Sequence, residues 1–227
     1  MTLTRRDFST RLLGAGLAGS LGAPAALAQG APVEGVNYVR LTQPLPVAPG
    51  KIEVIEFFWY ECPHCNAFEP ALEAWSKKLP QDVVLRRVPV WFREEPFSAQ
   101  QRIYYALETL GLVNTLHRRV FYAIHDDHTR LRSPEEISAF MAKNGVDAQK
   151  FMAAYNSFAV QAKALQARQV AEAYRIDAVP AMGVQGRYYT NGSLANANGT
   201  ANTPAGSNDR MLGVVDVLIA KARQPGA

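Results

Sequence analysis

Residues 52–59 read Ile-Glu-Val-Ile-Glu-Phe-Phe-Trp, a run too apolar to leave either face of a strand in water. Such a run belongs at the centre of a sheet, covered on both sides. After Tyr60 and Glu61 comes Cys62-Pro63-His64-Cys65. Proline suits the first turn of a helix, where its missing N–H costs nothing. A central strand is therefore expected to pass straight into a helix, with a cysteine at the junction.

The rest of the chain has to fit around that unit. Residues 83–90 read as a second strand, closed by Pro89. From about residue 97 to 173 the apolar spacing is helical throughout. Ser133-Pro134-Glu135-Glu136 predicts a capping box with proline at the first helical position, and Asp147 predicts the cap of the next helix. Strand character returns at residues 181–189, where Gln185-Gly186 suits a hairpin turn. Residues 211–222 read as a last amphipathic helix. A further strand is expected within residues 36–41, and the Gly- and Asn-rich stretch 190–209 is expected to be a mobile loop. The fold class is α/β: a sheet domain at 29–96 and 174–227, interrupted by an all-helical insert at 97–173.

The first 28 residues read differently. Arg5 and Arg6 open a basic segment, residues 12–27 are apolar and rich in Gly and Ala, and Ala26-Leu27-Ala28 is a small-x-small cleavage site. This is a cleaved export signal with a twin-arginine flavour, and the mature chain is expected to begin near Gln29. The formal net charge is +4, with the basic residues scattered, so we expect no nucleic-acid partner.

Cys62 and Cys65 are the only cysteines in the chain. Export places them where a disulfide persists. A bridge across two intervening residues closes too small a loop to act as a staple, so chemistry explains it better than stability. In exchange reactions the thiolate attacks and leaves. Four features favour the Cys62 thiolate: the helix N-terminus, the turn fixed by Pro63, charge or a donor from His64, and an S–H from Cys65 one turn along. Cys62 should face solvent at the helix tip while Cys65 points inward. Trp59, Tyr60 and residues around Pro180 could then supply an apolar rim.

Glu56 stands where burial is hard to avoid. It either lies beneath the site and exchanges a proton with Cys65, or pairs with a cation such as Arg86 or Arg87. Val179-Pro180 precedes the later strand. Proline there is often punctuation, and spacing alone does not make its peptide bond cis.

Residues 54–69, together with Val179-Pro180-Ala181-Met182 and Gly186-Arg187-Tyr188, resemble the DsbA family of thiol:disulfide oxidoreductases. The resemblance spans essentially all of the mature chain. It implies a thioredoxin fold with an inserted helical domain. It implies that Cys62 is the nucleophile, Cys65 the buried resolving thiol and Glu56 a buried acid, with Glu69 modulating the same site. Pro180 would be cis and would present the Val179 backbone to a substrate. The activity implied is donation of the Cys62–Cys65 disulfide to unfolded or partly folded exported proteins with free thiols. Reoxidation would come from a DsbB-like membrane oxidase, in the periplasm. The redox-active disulfide would be the only cofactor, and the protein a monomer. One departure is Glu61, whose charge beside Cys62 is expected to disfavour the thiolate and give a milder oxidant.

Other readings stay open on the residues alone. The same fold could serve a disulfide reductase or isomerase. Cys62 and Cys65 could join His125 and His128 in a metal site, although that spacing is poor for zinc and we expect no metal. A peptide-binding chaperone with a vestigial disulfide is the third.

Overall fold

The computed structural model describes residues 31–90, 98–199 and 203–224. Every element named below lies in the compact unit Pro32–Ala227. The export signal expected at 1–28 falls outside the described residues.

Strand β1 is Val39–Arg40, β2 is Ile52–Phe58, and helix α1 (Pro63–Ser76) leads to β3 (Val83–Pro89). Five helices follow: α2 (Ser98–Thr109), α3 (Val113–His125), α4 (Pro134–Lys143), α5 (Ala148–Tyr155) and α6 (Phe158–Ala173). The chain closes with β4 (Ala181–Val184), β5 (Tyr188–Asn191), the single turn α7 (Gly192–Ala195) and α8 (Pro204–Ala222). The strands form one sheet in the order β1-β5-β4-β2-β3. Only β2 and β3 run parallel; β4 is antiparallel to β2, and β5 to β4.

The apolar run of residues 52–58 explains the layering. Ile52 and Val54 point into a core with Phe68 and Leu72 of α1 and Val215 and Leu218 of α8. Ile55 and Phe57 point the other way, into a core with Ile103 and Leu107 of α2, Val160 of α6 and Tyr174. Alternation along one strand thus sends successive side chains to opposite layers. Each such side chain contributes roughly 1.5–3 kcal/mol by leaving water. The sheet is therefore held between α1 and α8 on one face and the helical block on the other.

Local signals set the boundaries. Ser133 and Glu136 form the expected capping box of α4, and Asp147 caps α5 through the Lys150 N–H. Gln185 and Gly186 both adopt positive φ, 52° and 61°, as a tight hairpin of type I′ requires. In the stretch expected to be a mobile loop, 190–209, the described residues 190–199 and 203–209 carry more regular structure than their composition suggested. Asn191 accepts a bond from the Leu194 N–H and starts α7. Thr203 caps the Gly206 N–H with Pro204 at the first helical position, so the last helix begins at Pro204 and not near residue 211. Side-chain caps override a loop-like composition here.

Candidate active site

Cys62 occupies the N-cap of α1, with φ −81° and ψ 115°, and its side chain caps nothing. The Asn66 N–H closes the first turn on the Cys62 carbonyl at 3.1 Å. The sulfur is thus left over the unpaired N–H groups of the helix start, a site that favours negative charge. The hydrogen bond from Cys65 lowers the Cys62 pKa most. Burial opposes it, and the backbone N–H groups of Cys65 and His64 and the charge of His64 assist, giving a pKa of about 6. Cys65 behaves in the opposite sense. Burial first, then the bond and charge of Cys62, push its pKa well above the usual thiol value.

The two sulfurs are unbridged in this structure and unequally placed. Cys65 is fully buried, and Cys62 is 7% exposed. Cys62 is therefore less open than the sequence suggested, because the loop before β4 covers it. The Val179–Pro180 bond is cis. The Val179 carbonyl accepts the Cys62 thiol at 3.4 Å, across 117 residues of sequence. Beside them lies an open cleft of about 330 Å³, lined by His64, Val179, Pro180, Asn191, Asn196 and Met211 among others. Tyr60 takes no part in an apolar rim: it is 1% exposed and faces inward.

Glu56 is fully buried. Burial, followed by the charge of Glu69, raises its pKa well above the carboxylate range, while Arg87 only partly offsets this. Of the two cations considered, Arg87 is the one beside Glu56: its Nε lies 3.0 Å from Glu56 Oε2, yet the N–H is not aimed at it, and among the described residues no well-aimed donor reaches either Glu56 oxygen. Arg86 pairs instead with Glu53. Glu56 also raises the Cys65 pKa through its charge, which places it within electrostatic reach of the second sulfur.

Glu69, implied by the resemblance, belongs to the same cluster, and His117 is the member that sequence reasoning missed. Glu69 of α1 is buried, and burial alone would raise its pKa. The hydrogen bond from His117, with the positive charges of Arg87 and Arg118, overrides that and holds it at about 2. His117 of α3 lies with Nε2 2.9 Å from Glu69 Oε1 and Nδ1 2.7 Å from the Tyr60 hydroxyl. From the same helix, His125 Nε2 donates to the Tyr60 carbonyl at 2.8 Å. That bond engages one of the two histidines considered as metal ligands. A histidine one position from Leu116 on the apolar face of α3 was the available signal, and it went unread.

Glu61 is similarly held. Arg132 Nε and Nη2 donate to its two oxygens at 2.7 and 2.6 Å, and Gln100 donates at 2.7 Å. The expectation that its negative charge would bear on Cys62 is corrected accordingly, since an arginine from the segment before α4 compensates that charge.

Comparison with known proteins agrees with this geometry. A family model described as DSBA-like thioredoxin domain matches residues 53–199. The thiol:disulfide interchange protein DsbA of Pseudomonas aeruginosa is 42% identical over 191 residues, covering 83% of this chain and 85% of that protein. The protein of the same name from Bordetella pertussis is 45% identical over 218 residues, covering 95% and 97%. The crystal structure of P. aeruginosa DsbA superposes with a TM-score of 0.76 at 41% identity, over 84% of this chain and 94% of that one. That of the oxidoreductase DsbA from Xylella fastidiosa gives 0.74 at 32% identity, over 86% and 99%.

Proposed function

The chain belongs to the DsbA family of thiol:disulfide oxidoreductases, and from that premise we propose how its own residues carry out disulfide donation. The carrying observation is the opposed pair of sulfurs: Cys62 at a helix N-cap with a pKa of about 6, and Cys65 buried with a raised pKa. A thiolate stabilised in the reduced protein makes the bridged form a better oxidant.

The reaction balances on these atoms. A substrate thiolate attacks the Cys62 sulfur, the Cys62–Cys65 bond breaks, and Cys65 leaves as a thiolate. Cys65 then takes a proton from Glu56, a fully buried acid within its electrostatic reach whose raised pKa keeps it protonated. A second substrate thiolate attacks the substrate sulfur of the mixed disulfide, and Cys62 leaves as the stabilised thiolate. Two electrons pass from the substrate to the pair, and the two sulfurs carry both of them. Pro63 fixes the turn and His64 supports the thiolate. Val179 and Pro180 present the backbone against which an extended substrate docks.

The substrates are unfolded or partly folded exported proteins with free thiols, met in the periplasm after export through residues 1–28. A DsbB-like membrane oxidase returns the pair to the disulfide. Residues 29–96 and 174–227 act as the catalytic sheet domain, with 97–173 as its helical insert. The test is redox equilibration against glutathione, with oxidative folding of a reduced client. An oxidase comes to equilibrium with far more reduced enzyme than an ordinary dithiol and drives client oxidation. A reductase does neither, and a Cys62→Ser variant that still oxidised clients would end this reading.

A further inference from the structure

The cluster around α1 contains two buried carboxyls, Glu56 and Glu69, and one half-buried arginine, Arg87, in contact with both. Two carboxylates sharing one guanidinium leave an excess negative charge in a low-dielectric site, so one of the two is better off protonated. The hydrogen bonds are distributed unevenly. Both Glu69 oxygens are served, Oε1 by His117 at 2.9 Å and Oε2 by Arg87 Nη2 at 3.3 Å. Among the described residues no well-aimed donor reaches either Glu56 oxygen, and its carboxyl lies against that of Glu69 and the Arg87 guanidinium.

We propose that His117 is a positioning residue: its Nε2–H pins the negative charge on Glu69 and so leaves the shared proton on Glu56, the carboxyl within electrostatic reach of Cys65. The inference rests on Glu56 as the proton partner of Cys65 and deepens that reading. The Tyr60 hydroxyl proton occupies His117 Nδ1 at 2.7 Å, so the ring's own hydrogen sits on Nε2 and points at Glu69. Burial keeps the ring neutral and the Tyr60 hydroxyl protonated. The groups that face this ring are Tyr60 before α1, Glu69 on α1, Arg87 on β3, Tyr104 on α2 and Arg118 on α3. With a neutral ring, Arg87 and the Glu69 carboxylate balance, and Glu56 adds no charge until it gives up its proton. The acid is then loaded before each turnover.

The experiment follows the carboxyl and ring resonances of the reduced full-length protein by NMR across pH, with Glu56→Gln and Glu69→Gln for assignment. In the wild type the Glu56 carboxyl should remain protonated at pH 7 while Glu69 is ionised, with His117 as the Nε2–H tautomer. His117→Met removes the donor, and the Glu69 titration should rise by about one to two pH units, the size of a charge-assisted hydrogen bond. His117→Gln keeps an N–H at the Nε2 position and should restore the wild-type titration. A wild-type Nδ1–H tautomer, a proton on Glu69 at pH 7, or a Met variant that titrates like the wild type would each overturn the proposal. Should the Met variant not fold, the wild-type tautomer and carboxyl assignment decide alone. The pH profile of exchange in Glu56→Gln separates the two levels. If that profile is unchanged while the titrations behave as described, Glu56 loses its role as proton partner and the His117 assignment stands.

Discussion

Arg132 grips both carboxylate oxygens of Glu61, at 2.7 and 2.6 Å, immediately before the reactive cysteine. The contact joins the helical block to the active-site turn, and it also cancels a charge that would otherwise act on the Cys62 sulfur.

Replacing Arg132 by Met should therefore raise the Cys62 pKa by about half a unit to one unit. Thiolate absorbance across pH reads this directly. The double variant Arg132→Met, Glu61→Gln should return most of the shift. A single variant with a wild-type titration would mean that the pair affects position alone.

The largest influence lowering the Cys62 pKa is the hydrogen bond from Cys65. Cys65→Ala should accordingly move the Cys62 midpoint from about 6 toward the ordinary thiol range of about 8.5. Alkylation rates of the single-cysteine protein measure it. An unmoved midpoint would assign the effect to the helix terminus.

The sign of the pH dependence of stability follows from the lowered value. Cys62 titrates near 6 in the folded reduced protein, against 9.0 for the unperturbed thiol. A depressed folded pKa gives stability that is present above the unfolded value and lost as pH falls through the folded one. The oxidised protein has no thiol and serves as reference. Reduced minus oxidised stability should rise between pH 6 and 9 and flatten below pH 6. At pH 7 the gain is ~1 kcal/mol after screening at the helix tip, or roughly 20 mV toward oxidant. Paired urea titrations at pH 5, 7 and 9 test it, and parallel curves would contradict it.

Gly186 holds φ at +61°, and a Cβ there would run into the Leu45 carbonyl oxygen. Gly186→Ala should destabilise the protein by ~2 kcal/mol or more, since neither the backbone nor the carbonyl can yield cheaply. Thermal unfolding measures this. Disulfide exchange per folded molecule should be unaffected, because the hairpin lies away from the sulfurs.

The layered sheet was legible because residues 52–58 are apolar on both faces, and only a central strand tolerates that. Cys62 and Cys65 were legible because a thiol pair at a strand-to-helix junction has few other uses. Caps were read where an apolar helical run followed them, at Ser133 with Glu136 and at Asp147, and missed where the flanking composition was loop-like, at Asn191 and Thr203. The site's outer partners were not legible at all. His117, Arg132 and Gln100 reach the turn from 48, 71 and 39 residues away in sequence. Nothing local marks a side chain whose partner is supplied by the tertiary fold.

Helix α3 holds Tyr60 twice, His117 at the hydroxyl and His125 at the carbonyl. Transplanting residues 52–76 into another sheet would carry the sulfurs but leave both of those grips behind. Redox character in this molecule is consequently a joint property of two segments, and a chimera that exchanged only the insert should inherit part of its reactivity from the donor of the helices.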